Sequence, residues 1–229
     1  MTHNQSAHWN YTMNEWNSPK HKEFLDIIFK NEDIKIIFDI GANTGATAFI
    51  FLNHSAKNKI KNIYCFEPDN ENMDFLKKHN KSDKLVCIQK GIYYGKKKAK
   101  AFGAGHISEG RIHPNVGGMG IEECMKEVVK NRNERGENIF CDQVKGKIFE
   151  LDELENLVDN SVIPDFIKID IEGAEKNVLI NSTTIKKAKF IWVEWNHKKN
   201  LQDFLKEHLP EFEIYKTGAD FLLKNKNIY

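Results

Sequence analysis

The stretch that decides the fold is IIFDIGANTG, residues 36–45. Five largely apolar residues end at Gly41, as in a strand that is buried on both faces of a parallel sheet. Two glycines then lead into a stretch whose apolar residues have helical spacing. A strand, a glycine turn and a helix in this order predict a βα unit, in which a ligand binds at the carboxyl end of the strand.

The same alternation of short apolar runs and helical stretches continues along the chain and predicts a parallel sheet with right-handed crossovers. Two final runs, residues 212–217 and 221–224, predict a hairpin joined through Gly218-Ala219. We therefore predict a doubly wound α/β fold with a mostly parallel sheet and an antiparallel C-terminal hairpin strand. The other predicted strands are residues 34–40, 62–66, 85–89, 166–171 and 190–195, and the predicted helices are residues 19–30, 44–52, 70–79, 151–157 and 201–208, with another from about residue 174.

Length and pattern predict one domain with one insertion. A chain of 229 residues can bury one substantial core. Residues 1–18 are interpreted as a polar N-terminal extension that either frays or orders over the site or in a dimer contact, and residues 19–229 as a single domain. Near residues 103–142 the pattern breaks into glycines and histidines, with a possible helix over 121–131. This loop or cap insertion is either a mobile surface loop or a wall over a site.

Charge and cysteine spacing exclude several classes of protein. The 34 basic and 33 acidic residues give a net charge of +1, so we expect no nucleic-acid partner. Neither a secretory signal nor a spanning apolar run is evident, which predicts a cytoplasmic protein without a membrane partner. The cysteines have no C-x-x-C spacing and are expected to be reduced core residues rather than zinc ligands: Cys65, Cys87, Cys124 and Cys141.

The glycine turn lacks one feature of a dinucleotide site. In G-x-G-x-x-G the second glycine lets a pyrophosphate approach the backbone, and this chain has Asn43 at that position. A smaller anion, such as an amino-acid carboxylate, still fits the N-terminus of the following helix. Asp39 is then placed to hold the ammonium group of the same amino acid. The pattern favours a receptor for the methionine half of S-adenosylmethionine.

Two later strand ends carry further carboxylates. Glu67 follows the second strand, where an acidic side chain accepts hydrogen bonds from both ribose hydroxyls of a nucleoside. Asp170, Glu172 and Glu175 follow the strand at residues 166–171. Clustered carboxylates are costly without protonation, a cation or a cationic ligand, so this rim is a candidate site.

Together these stretches resemble the FkbM family of S-adenosylmethionine-dependent methyltransferases. The matching segments follow the family's order, cover most of the chain from residue 34 onward, and are FDIGANTG (38–45), CFEPDNENMDFLKKH (65–79), LDEL (151–154), DFIKIDIEGAEKNVL (165–179) and, more weakly, FIWVEW (190–195). The resemblance implies the Rossmann-like fold of class I methyltransferases. It also implies methyl transfer, commonly to hydroxyl oxygens of sugars or similar metabolites.

The resemblance also implies cofactor contacts and an active-site role for Asp170 and Glu172, whereas the candidate histidines follow from their positions in the chain. A base is needed to take the proton of an acceptor hydroxyl, with Asp170 as the first candidate, His197 as the runner-up, and Glu172 at the same site. His106 and His113 are further candidates if the insertion folds over the site. No metal ligand is assigned, although Asp170 with Glu172 would suit a divalent cation. Cofactor contacts are expected from Asp39, Gly41, Asn43, Gly45, Glu67, Gly91, Ile92 and Asp170.

We expect an enzyme that uses S-adenosylmethionine to methylate a hydroxyl of a saccharide or other small molecule. Two alternatives remain open. One is a non-catalytic cofactor-binding accessory protein, and the other is a nucleotide-linked oxidoreductase on a similar fold, which Asn43 argues against. An RNA methyltransferase is a third, suggested by lysine clusters at residues 96–98 and 186–187. The oligomeric state is left open.

Overall fold

The computed structural model describes residues 5–31, 33–54, 57, 59–108, 111–113, 118–195, 197–217 and 220–228. Its helices are α1 (Gln5–Trp16), α2 (Pro19–Asn31), α3 (Ala46–Asn53), α4 (Asn70–His79), α5 (Glu122–Glu134), α6 (Leu154–Leu157), α7 (Glu175–Asn181) and α8 (Leu201–His208), with a 3-10 turn at Ile185–Lys187. Its strands are β1 (Ile36–Ile40), β2 (Asn62–Phe66), β3 (Leu85–Ile88), β4 (Gly91–Ile92), β5 (Lys98–Ser108), β6 (Arg111–His113), β7 (Met119–Ile121), β8 (Ile139–Asp152), β9 (Phe166–Ile169), β10 (Phe190–Val193), β11 (Phe212–Thr217) and β12 (Phe221–Asn225).

A seven-stranded sheet forms the centre of the fold, in the order β11-β12-β10-β9-β1-β2-β3. Neighbouring strands from β3 to β10 pair in parallel, and β12 is antiparallel to both β10 and β11. The sequence prediction of a doubly wound, mostly parallel sheet with an antiparallel C-terminal strand is therefore confirmed. In this order the carboxyl ends of β1, β2, β9 and β10 lie side by side along one edge.

Both faces of this sheet are buried, as the apolar sequence of β1 requires. Ile37 and Phe38 point to opposite faces, and both are fully buried. Ile37 belongs to a core shared with α2 and α3, whereas Phe38 belongs to a core shared with α7 and α8. Because helices cover both faces, the sheet presents polar groups to solvent chiefly at its strand ends.

The insertion differs from the irregular segment that its glycines suggested. Most of its described residues form a second sheet in the order β4-β8-β5-β6, with β7 also paired to β5. The predicted helix is confirmed as α5, which packs on β5, β7 and β8. At Gly105 a side-chain Cβ would lie 2.2 Å from the Phe140 ring, so the glycine lets an aromatic ring cover the strand.

The predicted helix at residues 151–157 is wrong in its first part. Leu151 and Asp152 end β8 and pair with β4, and the helix begins only at Leu154. Alternate side chains of this segment, Phe149 and Leu151, are buried in the same core cluster. This alternation of buried side chains is typical of a strand, but the segment is too short for the sequence alone to distinguish it from a helix.

The N-terminal segment is a helix rather than a frayed end. The Trp9 ring packs edge-on against Phe49 of α3, and the fully buried Trp16 packs against Phe51 and Trp192. Helix α1 therefore uses its aromatic side chains to dock on the central domain beside the carboxyl end of β1.

Disulfides and membrane-spanning helices are both absent from the described part of the chain. All four cysteines are free thiols. No helix among the described residues has the length and apolar character that crossing a membrane requires.

Replacing Gly41 by alanine is expected to destabilise the fold by at least about 3 kcal/mol. Gly41 has a φ of +81°, and an added Cβ would lie 1.8 Å from the carbonyl oxygen of Asp170, so β1 and β9 would have to separate. Urea unfolding of Gly41→Ala and of Gly95→Ala tests this. Gly95 also has a positive φ, +90°, but nothing lies within 4 Å of its Cβ position, so its variant should lose only about 1–2 kcal/mol. Equal losses would contradict the steric account.

Candidate active site

The turn after β1 is held tightly against the end of β2. The backbone amides of Gly41 and Ala42 both donate to the carbonyl oxygen of Phe66, each at 3.0 Å. Asn43 then adopts a φ of 49°, which is rare for a residue with a side chain. Its amide donates to Glu67 Oε2 at 2.8 Å. These bonds turn the Asn43 side chain toward the strand ends, where its Oδ1 is buried without a hydrogen-bond partner.

Glu67 is a buried carboxylate that joins two turns. Its Oε2 accepts from the Asn43 amide, and its Oε1 accepts from the Asp69 amide at 2.9 Å. Burial raises the pKa of Glu67 to about 7, although these two bonds act against the shift. A carboxylate has more lone pairs than these donors use, so Glu67 can accept further hydrogen bonds from a ligand.

An apolar slot opens beside Glu67. We use this name for the space between the β2 turn and the second sheet, lined by Phe66, Pro68, Gly91, Ile92, Tyr93, Phe149 and Leu151. A Cβ at Gly91 would lie 2.7 Å from Leu151 and 3.4 Å from Pro68, so a glycine keeps the slot open. The two residues predicted from the third strand end, Gly91 and Ile92, thus lie together here.

Lys168 is the residue that sequence reasoning missed. It lies on β9 opposite Asp39 of β1, and its side chain is buried. Its Nζ donates to the Gly41 carbonyl oxygen at 2.7 Å and lies 3.4 Å from Asp39 Oδ1 and 3.3 Å from Asp170 Oδ2. The signal was present: a lysine within an apolar strand, two residues before an aspartate, is unusual unless it is paired.

The lysine sets the charge state of its neighbours. Burial raises the pKa of Asp39, with Lys168 opposing the shift. Burial also acts to raise the pKa of Asp170, but the charge of Lys168 and hydrogen bonds with Glu194 and Lys168 together outweigh it, and the pKa is lowered. For Lys168, burial would lower the pKa, yet the carboxylates of Asp170 and Asp39 raise it overall. The cluster therefore contains a permanent ammonium group and an ionised Asp170.

Glu172 differs from Asp170 in its surroundings. It has a φ of 52°, and its Oε1 accepts from the Gly118 amide at 2.8 Å. Burial and then the charges of Asp170 and Glu175 raise the pKa of Glu172 to about 7. Asp170 and Glu172 therefore differ in pKa although they follow the same strand, because only Asp170 contacts the ammonium group of Lys168.

A larger acidic cavity adjoins the apolar slot. Its volume of about 630 Å³ lies in the range of small-molecule sites, about 300–1,000 Å³. The described carboxylates that line it outnumber its lysine and arginine, Lys168 and Arg132. Slot and cavity meet at a shared set of residues, His8, Gly41, Asn43, Gly118, Asp170 and Glu172, and the acidic lining residues are Glu15, Asp170, Glu172, Glu194 and Asp220.

Three predicted site residues lie outside both spaces. Asp39 is fully buried behind Lys168, and Gly45 packs against Leu76 at the start of α3. His197 is buried with Nε2 2.9 Å from Glu175 and Nδ1 3.3 Å from Glu127. Both ring nitrogens therefore face carboxylates of α7 and α5, and the structure does not bring His197 to the cavity.

Two further predictions fall at the edge of the described structure. His106 and His113 are paired across β5 and β6, but their side chains lie outside the described residues. In contrast, α1 orders over the site, one of the two outcomes expected for the N-terminal extension, and it supplies lining residues that the sequence did not single out, among them His8. The His8 Nε2 lies 3.1 Å from Asn43 Nδ2.

The arrangement suits a nucleoside joined to an amino acid. The apolar slot fits a flat base, Glu67 lies at its edge to receive ribose hydroxyls, and the unpartnered Asn43 Oδ1 lies at the junction with the cavity. The ionised Asp170 lies at the same junction, where it can accept bonds from an ammonium group. The positions of these hydrogen-bonding groups fit S-adenosylmethionine better than a dinucleotide.

Replacing Lys168 by methionine should destabilise the fold by about 3–5 kcal/mol at pH 8, because the buried Asp39 is left without a cation. Protonation removes this charge, so the loss should shrink as the pH falls toward 5. The sign follows from Asp39, whose folded pKa is raised and whose ionised form is therefore the costly one.

Chemical unfolding at several pH values measures this, with Lys189→Met as the control. Lys189 pairs with Asp165 at 3.0 Å at the other end of the sheet, in a partly exposed position. Its loss should cost about 0–1 kcal/mol. A Lys168→Met loss that is independent of pH would contradict the assigned pairing.

Comparison with solved structures gives matches at low identity. The crystal structure of methyltransferase FkbM from Methylobacillus flagellatus KT is 15% identical, with a TM-score of 0.53; the match covers 98% of this chain and 56% of that one. The putative RNA methyltransferase PH1948 from Pyrococcus horikoshii is 11% identical over 98% of this chain and 99% of its own, with a TM-score of 0.45. M. capricolum TrmK, solved with S-adenosylhomocysteine, is 14% identical over 90% and 69%, with a TM-score of 0.43.

The Methylobacillus structure shares the fold of this chain, which spans about half of its length. A comparison with curated proteins gave no match. The methyltransferase FkbM domain family, in contrast, matches residues 39–216, which include the end of β1, the glycine turn, Glu67 and the carboxylates after β9. The chain therefore belongs to the FkbM methyltransferase family, and its cofactor is S-adenosylmethionine.

Proposed function

We propose that this methyltransferase transfers the methyl group to a hydroxyl oxygen of a saccharide or another small, polyhydroxylated molecule. The observation that carries the proposal is the acidic cavity of about 630 Å³, which joins the apolar slot at Asp170 and Glu172. Carboxylates accept hydrogen bonds, and hydroxyl groups supply donors for them. A sugar ring fits both the volume and the excess of acceptors.

The cofactor would be held by residues of the slot and the glycine turn. Pro68, Gly91 and Ile92 would contact the adenine, and Glu67 would accept from the ribose hydroxyls. Gly41, Asn43 and Asp170 would contact the methionine part. Asp39 and Gly45 would not contact the cofactor. Asp39 would position Lys168, and Gly45 would shape the turn into α3.

The bound sulfonium supplies an electrophilic methyl group, and the chain's own residues provide alignment and proton removal. Holding the acceptor oxygen in line with the methyl carbon can lower the barrier by about 7–11 kcal/mol. The walls of the cavity, α1 and the second sheet, would limit access of water to this point.

Glu172 is the base that the geometry favours. The lowered pKa of Asp170 makes it a weak base, whereas the pKa of Glu172, raised to about 7, suits proton transfer near neutral pH. Both lie at the junction of slot and cavity. Asp170 would keep its charge and orient the reactants, and Glu172 would take the hydroxyl proton.

The cavity lining disfavours nucleic acid as the acceptor. A phosphate backbone carries regular negative charge, and the described carboxylates around the cavity would repel it. The family match likewise disfavours the oxidoreductase alternative. The accessory-protein alternative is left to experiment.

Affinity for S-adenosylhomocysteine should rise with pH. Only the ionised form of Glu67 accepts from both ribose hydroxyls, and its pKa is raised to about 7, so binding at pH 6 should be about tenfold weaker than at pH 8. Calorimetry on wild type and Glu67→Gln measures this. Glu71→Gln, an exposed carboxylate of α4, should keep the wild-type profile. A pH-independent affinity in the wild type would count against the ribose contact.

The rate of methyl transfer should also depend on one ionisation. If Glu172 is the base, kcat/KM rises with pH through about 7 and levels off above it. Glu172→Gln should lower kcat about 10²–10⁴-fold while retaining cofactor affinity within a few fold. Glu122→Gln, an exposed carboxylate paired with Lys126, is the control. A pH profile that persists in Glu172→Gln would assign the proton to another group.

Radiolabelled S-adenosylmethionine tests the function itself. The protein is incubated with the labelled cofactor and separate small-metabolite, glycan and RNA fractions of a cell extract, and the labelled product is treated with mild acid and base to distinguish ethers from esters. We expect an ether-linked methyl group in a small-molecule or glycan fraction. Label in RNA would overturn the acceptor class, and binding of S-adenosylhomocysteine without any labelled product would favour an accessory protein.

A further inference from the structure

A second group of polar side chains lies beside the acidic cavity, and two of its three members line that cavity. It consists of Glu15 on α1, His21 on α2 and Asp220 just before β12. One ligand atom from each lies within 4.8 Å of the others. The three residues come from distant parts of the sequence, and the docking of α1 and α2 beside the C-terminal strand brings them together.

Two of these side chains are buried with an unpartnered atom. His21 and Asp220 are 3% and 5% exposed. His21 Nε2 and Asp220 Oδ2 make no hydrogen bond, although they lie 3.4 Å apart. Buried polar atoms are nearly always hydrogen-bonded, so two such atoms that face each other indicate a missing ligand.

The other nitrogen of the histidine is already engaged. His21 Nδ1 lies 3.1 Å from the hydroxyl oxygen of Ser18. When Nδ1 donates to that oxygen, Nε2 carries a lone pair directed at Asp220. A hydrogen bond that fixes the ring through its second nitrogen is the usual support of a metal-binding histidine.

The spacing fits a small divalent ion. Nitrogen and oxygen ligands lie about 2.0–2.2 Å from Zn²⁺, and two ligands of one tetrahedral ion are therefore about 3.4 Å apart. That is the separation of His21 Nε2 and Asp220 Oδ2. The Glu15 carboxylate lies within 4.8 Å of these two atoms, and its longer side chain allows it to move to the ligand distance.

We propose that Glu15, His21 and Asp220 form a binding site for a divalent transition-metal ion of the Zn²⁺ type. Imidazole with two carboxylates is a ligand set for such ions rather than for Mg²⁺. Three protein ligands leave a fourth position open, as in sites where a metal binds a water or a substrate oxygen. Glu15 and Asp220 line the acidic cavity, so the open position faces the acceptor.

The ion would have two effects. It would join α1, α2 and the C-terminal hairpin, because each supplies a ligand. It would also bind a hydroxyl of the acceptor and hold it in the cavity. The second effect rests on the proposed function, and the first does not.

The test is direct metal binding to the full chain without an affinity tag. Protein stripped with a chelator is titrated with Zn²⁺, Co²⁺ and Mg²⁺ by calorimetry, and Co²⁺ binding is followed by its visible absorption. The rings of Trp16 and Trp192 lie 5.0 and 6.3 Å from the His21 ring, so Co²⁺ should also quench tryptophan fluorescence. We expect one Zn²⁺ or Co²⁺ per chain and much weaker binding of Mg²⁺.

Substitutions separate this site from adventitious binding. His21→Gln and Asp220→Asn should each weaken Zn²⁺ binding at least about tenfold and abolish the quenching. His208→Gln is the matched control, because His208 lies 3.3 Å from Glu207 but on the exposed side of α8. Affinity for S-adenosylhomocysteine, measured on every variant, shows that each is folded and tests the cofactor site separately.

Two outcomes would overturn the inference. One is a wild-type protein that binds S-adenosylhomocysteine but no Zn²⁺ or Co²⁺, which would leave His21 and Asp220 as a buried ion pair. The other is Zn²⁺ binding that His21→Gln and Asp220→Asn leave unchanged. A wild-type protein that binds Zn²⁺ but transfers no methyl group would instead count against the proposed function alone.

Discussion

The ammonium group of Lys168 is the interaction on which the rest of the site depends. It lies between the carboxylates of Asp39 and Asp170 and donates to the carbonyl oxygen of Gly41. A fully buried Asp39 would otherwise be costly to keep ionised. Because these contacts connect β1 to β9, they fix the glycine turn against the carboxylates that follow β9. The close approach of Gly41 to the Asp170 backbone adds a steric constraint to the same junction.

The three carboxylates after β9 also differ in their partners, and only one of them contacts the lysine. Asp170 contacts Lys168, Glu175 contacts His197, and Glu172 accepts from the amide of Gly118, just before β7. Burial, and then the like charges of Asp170 and Glu175, raise the pKa of Glu172, which has no ammonium group beside it. A single strand end thereby provides both a lasting negative charge and a group that can exchange a proton near neutral pH.

The cavity has walls from three parts of the chain. The central sheet supplies its floor, the segment leading into β7 supplies Gly118, and α1 supplies His8 and Glu15. Helix α1 is held there by Trp9 and Trp16, which pack on α3 and on the central sheet. The helix that supplies this wall of the cavity is therefore held in place by apolar packing.

The sequence by itself determined the central fold, the cofactor class and the identity of the main strand-end carboxylates. It did so because apolar runs, glycine turns and the residues directly after strands are local patterns. It did not determine the second sheet, whose glycines resemble those of a loop until Phe140 is seen to cover Gly105. Nor did it reveal that His197 is paired between α5 and α7, that α1 closes the cavity, or that Glu15, His21 and Asp220 meet. Each of these depends on contacts between residues far apart in the chain, and only packing in three dimensions brings such residues together.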